Sequence, residues 1–270
     1  MTQVQPGKQE DRTILINFVL DKSGSMGSIQ DATISGFNEF LADQQAEGGS
    51  AAMTLTLFDT TFHTSARALP VAEVRPLDRA SYSPGGMTAL YDAIAHTMKI
   101  TDDYVAAAHP NQVLFVIMTD GMENASREFT REQMLAMIEE RQQTQHYEFI
   151  YLGANQDAYA VSQSMGIRDG RSLTYDASPD EARATMGRVS HNVKAHRRVG
   201  EEVLMSCTFF SPEFEAMGAT SWDEYREERD AVRAEDDRAA GTDAESGKAE
   251  DRKAPDDTAA EGAAAGGGTR

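Results

Sequence analysis

Apolar runs alternate along this chain with stretches of helical spacing. Thr13–Leu20 (TILINFVL) is β-branched and apolar almost throughout, as a strand buried on both faces should be. Ile29–Ala46 follows with Ile34, Phe37, Phe40 and Leu41 at helical spacing, and Glu47-Gly48-Gly49-Ser50 ends it. Met53–Phe58 (MTLTLF) alternates, and Phe62–Ala66 is a candidate hairpin partner across Asp59-Thr60-Thr61. After Pro76–Met87, which contains Pro and Gly, a helix is predicted from about Thr88 to Ala107. Val113–Met118 is the most strand-like run of all. Thr130 and Gln133 form a T-x-x-Q capping box ahead of Met134, Met137 and Ile138. Phe149–Leu152 reads as a strand, and Ser178-Pro179-Asp180-Glu181 opens a further helix with a capping box and Pro at its first position. Strands separated by helices in this order indicate an α/β fold with a mainly parallel sheet and right-handed crossovers.

The pattern also sets boundaries. Residues 1–11 read as an N-terminal tail and 12–212 as one domain with its core reaching about residue 200. The apolar run Val203–Phe210 is expected to pack on that domain as an added strand. Residues 213–232 hold a candidate short helix. Residues 233–270 contain no Val, Ile, Leu, Met, Phe, Tyr or Trp, so this acidic, Ala- and Gly-rich tail is expected to be disordered.

Charge sharpens this division. The 270 residues carry 44 Asp and Glu against 25 Lys and Arg, a net charge of −19. Residues 213–270 hold 17 of the acids and 8 of the bases, so nearly half of the excess lies in about a fifth of the chain. Such a surface argues against nucleic acid and anionic membrane as partners. The N-terminal residues show no apolar signal core, and the apolar runs are of strand length rather than membrane length. The single Cys207 excludes an intramolecular disulfide framework and thiolate zinc sites. A soluble, cytoplasmic protein is the expectation.

Three segments sit at the carboxyl ends of predicted strands or at a helix entry, where open α/β sheets form their binding crevice. They are Asp21-Lys22-Ser23-Gly24-Ser25, Gly85-Gly86-Met87-Thr88 and Thr119-Asp120-Gly121. Together they supply two carboxylates, Asp21 and Asp120, and three hydroxyls, Ser23, Ser25 and Thr88. All are hard oxygen donors, suited to Mg²⁺ or Mn²⁺. Gly24 lets the first loop turn, Gly86 lets a backbone approach closely, and Gly121 allows an abrupt exit from the strand. Two carboxylates neutralise a divalent ion while the hydroxyls complete its geometry. An ion held this way keeps water positions open and accepts a carboxylate from a partner.

These segments resemble the D-x-S-x-S…T…D metal-ion-dependent adhesion site of von Willebrand factor A (vWA) domains, over roughly residues 12–200. The resemblance implies a doubly wound, Rossmann-like sheet with helices on both faces, one antiparallel edge strand and the metal at its upper edge. It implies further that Ser23, Ser25 and Thr88 ligate directly or nearly so, and that Asp21 and Asp120 act through water. TALYDAI, TDGMENASREFT and FIYLGANQDA are similar to a cytoplasmic bacterial and phage vWA group. The function implied is recognition of Asp or Glu on a partner protein through Mg²⁺ (or Mn²⁺), without catalysis. A regulatory subunit of an ATPase or chelatase-type machine and a metal-dependent hydrolase are the alternatives.

Several neighbours of the site have two readings. Asp92, four residues after Thr88, is either a supporting acceptor or a solvated helix charge. Glu123 and Asn124 either tune partner choice or form an ordinary polar loop. Met26, Met87 and Met122 either rim the metal with apolar surface or fold inward. Lys22 either enters the site or points into solvent, the latter being favoured. The six histidines show no ligand spacing, and Gly153–Asp157 reads as a neighbouring loop. The acidic tail is itself a candidate occupant of the metal.

Overall fold

A computed structural model gives residues 13–47, 49–145, 147–198 and 208–212. In chain order the elements are β1 (Thr13–Asp21), α1 (Gln30–Ala46), β2 (Ser50–Phe58), β3 (Phe62–Pro70), α2 (Leu90–Ala108), β4 (Gln112–Thr119), α3 (Arg131–Thr144), β5 (Tyr147–Ala154), α4 (Ala158–Ser164), β6 (Ser172–Tyr175) and α5 (Pro179–Arg198). The sheet runs in the order β3-β2-β1-β4-β5-β6. All neighbours are parallel except β2 and β3. This is the doubly wound, mainly parallel sheet with one antiparallel edge strand that the family resemblance implies.

β1 is central because it is apolar on both faces. Leu15 and Val19 join Leu90, Ile94, Met98, Met134 and Ile138 in a core beneath α2 and α3. The alternate positions face α1, where Phe18 meets Phe37 and Phe40 edge-on at 5.3 Å. α5 lies against α1 on that side. β2 departs from its alternating pattern, since Thr54 and Thr56 are fully buried. Their hydroxyls are satisfied internally. Thr97 donates to Thr56 at 2.9 Å, and the Ala68 N–H donates to Thr54 at 3.2 Å. A threonine with such partners serves an inward strand face as well as an outward one.

β3 is irregular. Its pairing with β2 slips between Met53 and Leu55 and again between Leu55 and Thr56, and Ala68 takes a left-handed φ of 46°. The capping box at Thr130 forms as predicted, with Gln133 N–H on the Thr130 hydroxyl and the Thr130 N–H on the Gln133 side chain. α4 and β6 are too short to mark themselves by periodicity. Asp157 caps α4 by accepting the Ala160 N–H at 3.0 Å.

Thr208–Ser211 make a turn rather than strand, closed by the Ser211 N–H on the Thr208 carbonyl, with Phe209 buried and its carbonyl held by Asn192. The rest of the run expected as an added strand lies outside the described residues. So do the N-terminal tail, the candidate helix at 213–232 and the acidic tail at 233–270. Among the described residues no helix is long and apolar enough to cross a membrane.

α5 carries one buried anomaly. Both ring nitrogens of His196 lack a hydrogen-bond partner, and burial, with the nearby Arg171 charge, pulls its pKa down to about 3. The folded pKa lies below the unfolded one, so the contribution is present above about pH 6.5 and is lost as pH falls toward 3. The slope approaches about 1.4 kcal/mol per pH unit in that window. Urea unfolding of His196→Leu is expected to show a shallower loss of stability between pH 6 and 4 than the unsubstituted chain. Parallel pH profiles would contradict this account.

Candidate metal centre

The chain leaves β1 toward β2 on one side, while β4 takes the other side, so the strand order reverses at the β1–β4 boundary. A crevice opens at the carboxyl ends of strands at such a point. Leu20 pairs with Met118, so the next residues, Asp21 and Thr119, end their strands side by side. The Thr119 hydroxyl donates to Asp21 Oδ2 at 2.6 Å, and the Ser23 N–H donates to Oδ1 at 2.6 Å. Asp21 is fully buried. Burial pushes its carboxyl up to about 6, against the lowering effect of the Thr119 and Ser23 donors, and the Asp120 charge adds to the rise.

Asp120 lies half-buried at the end of β4 and accepts the Ser25 hydroxyl on Oδ1 at 2.6 Å. Burial raises its pKa as well, with Ser25 opposing. The Ser23 and Ser25 hydroxyls are 3.3 Å apart. Thr88 completes the group from the third segment. A Cβ on Gly121 would lie 2.9 Å from the Thr88 hydroxyl and 3.8 Å from that of Ser25, so the glycine leaves the room in which these groups meet. All five predicted ligand residues therefore line one end of the sheet. Asp21, Ser23 and Thr88 are buried, and Ser25 is exposed.

The loops are laced together through their backbones. Gly24 N–H donates to the Gly86 carbonyl at 3.2 Å, and Gly85 N–H to that of Lys22 at 2.8 Å. Gly86 has a φ of 72°, and a Cβ there would sit 2.8 Å from Thr60 Oγ1, so conformation and space both require glycine. Tyr82, fully buried, donates its hydroxyl to the Asp21 carbonyl at 2.6 Å and fixes the long segment before Gly85. The backbone of Thr88 is spent on the third loop. Its N–H goes to Asn124 Oδ1, and its carbonyl accepts the N–H groups of Asn124 and Ala125. Its hydroxyl is left for the site.

The neighbours resolve as follows. Asp92 is buried, so it is not a solvated charge. Its carboxylate accepts the N–H groups of Arg127, Glu128 and Phe129 at 2.8–3.1 Å. Glu123 likewise turns back on its own loop, accepting from Ala125 N, Ser126 N, the Ser126 hydroxyl and Tyr91 N. These contacts hold the loop in place. Met26 is fully buried and so is removed from the apolar rim, while Met87 and Met122 stand exposed.

Lys22 does not point into solvent. Its ammonium pairs with Asp59 at the β2–β3 turn. Burial works against the Asp59 charge, but Lys22 and the Thr61 N–H and hydroxyl hold its pKa below the usual range. Asp59, Thr60, Thr119, Tyr82 and Ser126 were not singled out as site residues from the sequence. Of these, Thr119 alone carries a signal, as the polar residue directly after the apolar run Val113–Met118.

This donor set fits a small hard cation. Two burial-stressed carboxylates and three convergent hydroxyls lie together, and a divalent ion offsets that stress. Among the described residues no group of three or more His, Cys, Asp or Glu side chains could hold a metal. Ser23, Ser25, Thr88, Asp21 and Asp120 are the residues that would hold one here.

Fold and site together define a doubly wound α/β domain with an oxygen-donor site at the switch point of its sheet. No protein-family model and no curated protein matches the sequence. Solved structures do match. The vWF domain of the pili tip protein Mfa5 from Porphyromonas gingivalis is 10% identical, covering 70% of this chain and 98% of that one, with a TM-score of 0.50. The pilus adhesin SpaC of Lactobacillus rhamnosus GG is 15% identical over 68% of this chain and 30% of that one, also at 0.50. Proximal thread matrix protein 1 from the mussel byssus is 15% identical at a TM-score of 0.47. The match covers 69% of this chain and 46% of the byssus protein, so the chain spans less than half of that protein's length. The chain has the von Willebrand factor A fold. None of these structures places it in the narrower cytoplasmic bacterial and phage group.

Proposed function

We propose that this domain is a divalent-metal-dependent protein-interaction module, without catalysis, whose ion accepts an Asp or Glu from a partner protein. The observation that carries this reading is the convergence of Asp21, Ser23, Ser25, Thr88 and Asp120, buried on one side and open at Ser25. Mg²⁺, with Mn²⁺ next, suits donors that are all hard oxygens. When bound, the ion supplies an electrophilic centre to which a carboxylate can bind. One solved structure of the same fold is a pilus adhesin, which supports an interaction role. A hydrolase would need a general base beside the ion. The nearby carboxylates of Asp92 and Glu123 are instead engaged by N–H and O–H donors of residues 125–129 and by the Tyr91 N–H of α2.

The test is capture of binding proteins on the immobilised full chain in Mg²⁺, followed by elution with EDTA. Specific proteins are expected in the EDTA eluate from the unsubstituted chain and not from Asp120→Ala. Capture that is equal with and without EDTA would overturn the reading.

A further inference from the structure

Three large hydrophobic side chains are exposed among the described residues: Met87 at 51%, Met122 at 70% and Tyr159 at 56%. Two of the three flank the candidate metal centre. Met87 directly precedes Thr88, and Met122 follows Gly121 on the loop that leaves β4.

Their exposure does not come from slack backbone. Met87 N–H donates to Thr60 Oγ1 at 2.8 Å, and the next N–H, of Thr88, is held by Asn124. On the other side, Gly121 N–H is held by the Thr119 hydroxyl at 3.2 Å, and Glu123 is fixed by its four donors. Two anchored loops thus present thioether side chains to solvent next to residues of the same candidate site. Methionine is enriched at interface cores and adapts to varied apolar surfaces.

The charges nearby narrow the partner. Lys22 is paired with Asp59, and the Glu123 carboxylate is engaged by N–H and O–H donors of its own loop and by the Tyr91 N–H of α2, so these two offer a partner neither a spare cation nor a spare anion. The chain as a whole carries −19, which repels a run of acids and tolerates a single one held by the ion. Resting on the metal-site reading above, we infer that the occupant is a partner-protein segment in which one Asp or Glu is flanked by large apolar side chains. The acid reaches the ion while the flanking groups cover Met87 and Met122. The acidic tail at 233–270 is a poor match, because it has many acids and no large apolar residue.

The test uses a displayed library of nine-residue peptides with Asp or Glu fixed at the centre, bound to the full chain in Mg²⁺ and released with EDTA. Released peptides are expected to be enriched in Leu, Ile, Phe or Met beside the acid. A synthetic peptide of the winning sequence should bind the Met87→Ser/Met122→Ser double variant at least tenfold more weakly, with Mg²⁺ affinity unchanged within about twofold. EDTA-released peptides without apolar enrichment, or equal binding to the double variant, would overturn the inference alone. Absence of any EDTA-released peptide would overturn it together with the metal-site reading.

Discussion

Asp120→Ala is expected to abolish useful divalent-ion binding, raising the Kd for Mg²⁺ at least a hundredfold, while the domain stays folded. At an effective dielectric of about 20, one unit charge about 4 Å from another is worth roughly 4 kcal/mol, which corresponds to about three decades in affinity. A divalent ion feels more than this, and loss of the Ser25 contact at 2.6 Å disorders a second donor. The same substitution removes a carboxylate whose burial disfavours its charge and whose presence raises the pKa of Asp21. Without metal, the variant should therefore be at least as stable as the unsubstituted chain. Calorimetric titration with Mg²⁺ and Mn²⁺ and thermal melting with and without EDTA check both halves. An unchanged Kd would show that Asp120 does not hold the ion.

The second large effect is expected at Asp92. Its carboxylate is the acceptor for three consecutive N–H groups from Arg127 to Phe129. Hydrogen bonds to a charged group contribute about 1.5–3 kcal/mol each, and leaving buried donors unpaired adds to the loss. The three are not additive, so Asp92→Ala should destabilise the domain by roughly 4 kcal/mol. Asp92→Asn keeps one oxygen and turns an amide donor toward a backbone donor, so it should recover only part of this. The released segment continues from the loop whose Asn124 and Glu123 hold Thr88 and the start of α2. Mg²⁺ affinity should fall with stability. Urea unfolding and hydrogen exchange at residues 127–129 measure the two effects. Unchanged exchange at those amides would show that Asp92 is not what holds them.

These two acids show where reading the sequence succeeds. Asp120 is legible because it closely follows an apolar run, and two other segments with complementary donors lie at the same edge of an alternating β/α pattern. The alternation of strands and helices and the three donor segments follow from periodicity and spacing, both of which lie along the chain, whereas the strand order emerges only in the folded sheet. Asp92 was legible only as a neighbour of Thr88 on a helix face. Its true partners are backbone N–H groups 35–37 residues away, and no side-chain pattern encodes those. The same holds for Lys22, whose partner Asp59 closes a turn across the sheet, and for Met26, where one methionine of three turns inward. α4 and β6 escaped because seven and four residues are too few to display a period.

The irregular β3 has a consequence for the company this domain keeps. A sheet edge with a long regular run of unpaired N–H and C=O groups recruits strands from other chains. Among the described residues one margin slips register twice, with a left-handed φ at Ala68, and the other is a strand of only four residues. Neither offers a straight template for lateral growth. Strand-by-strand assembly is discouraged at both of these margins, and the proposed partner site lies instead among the loops at the end of the sheet.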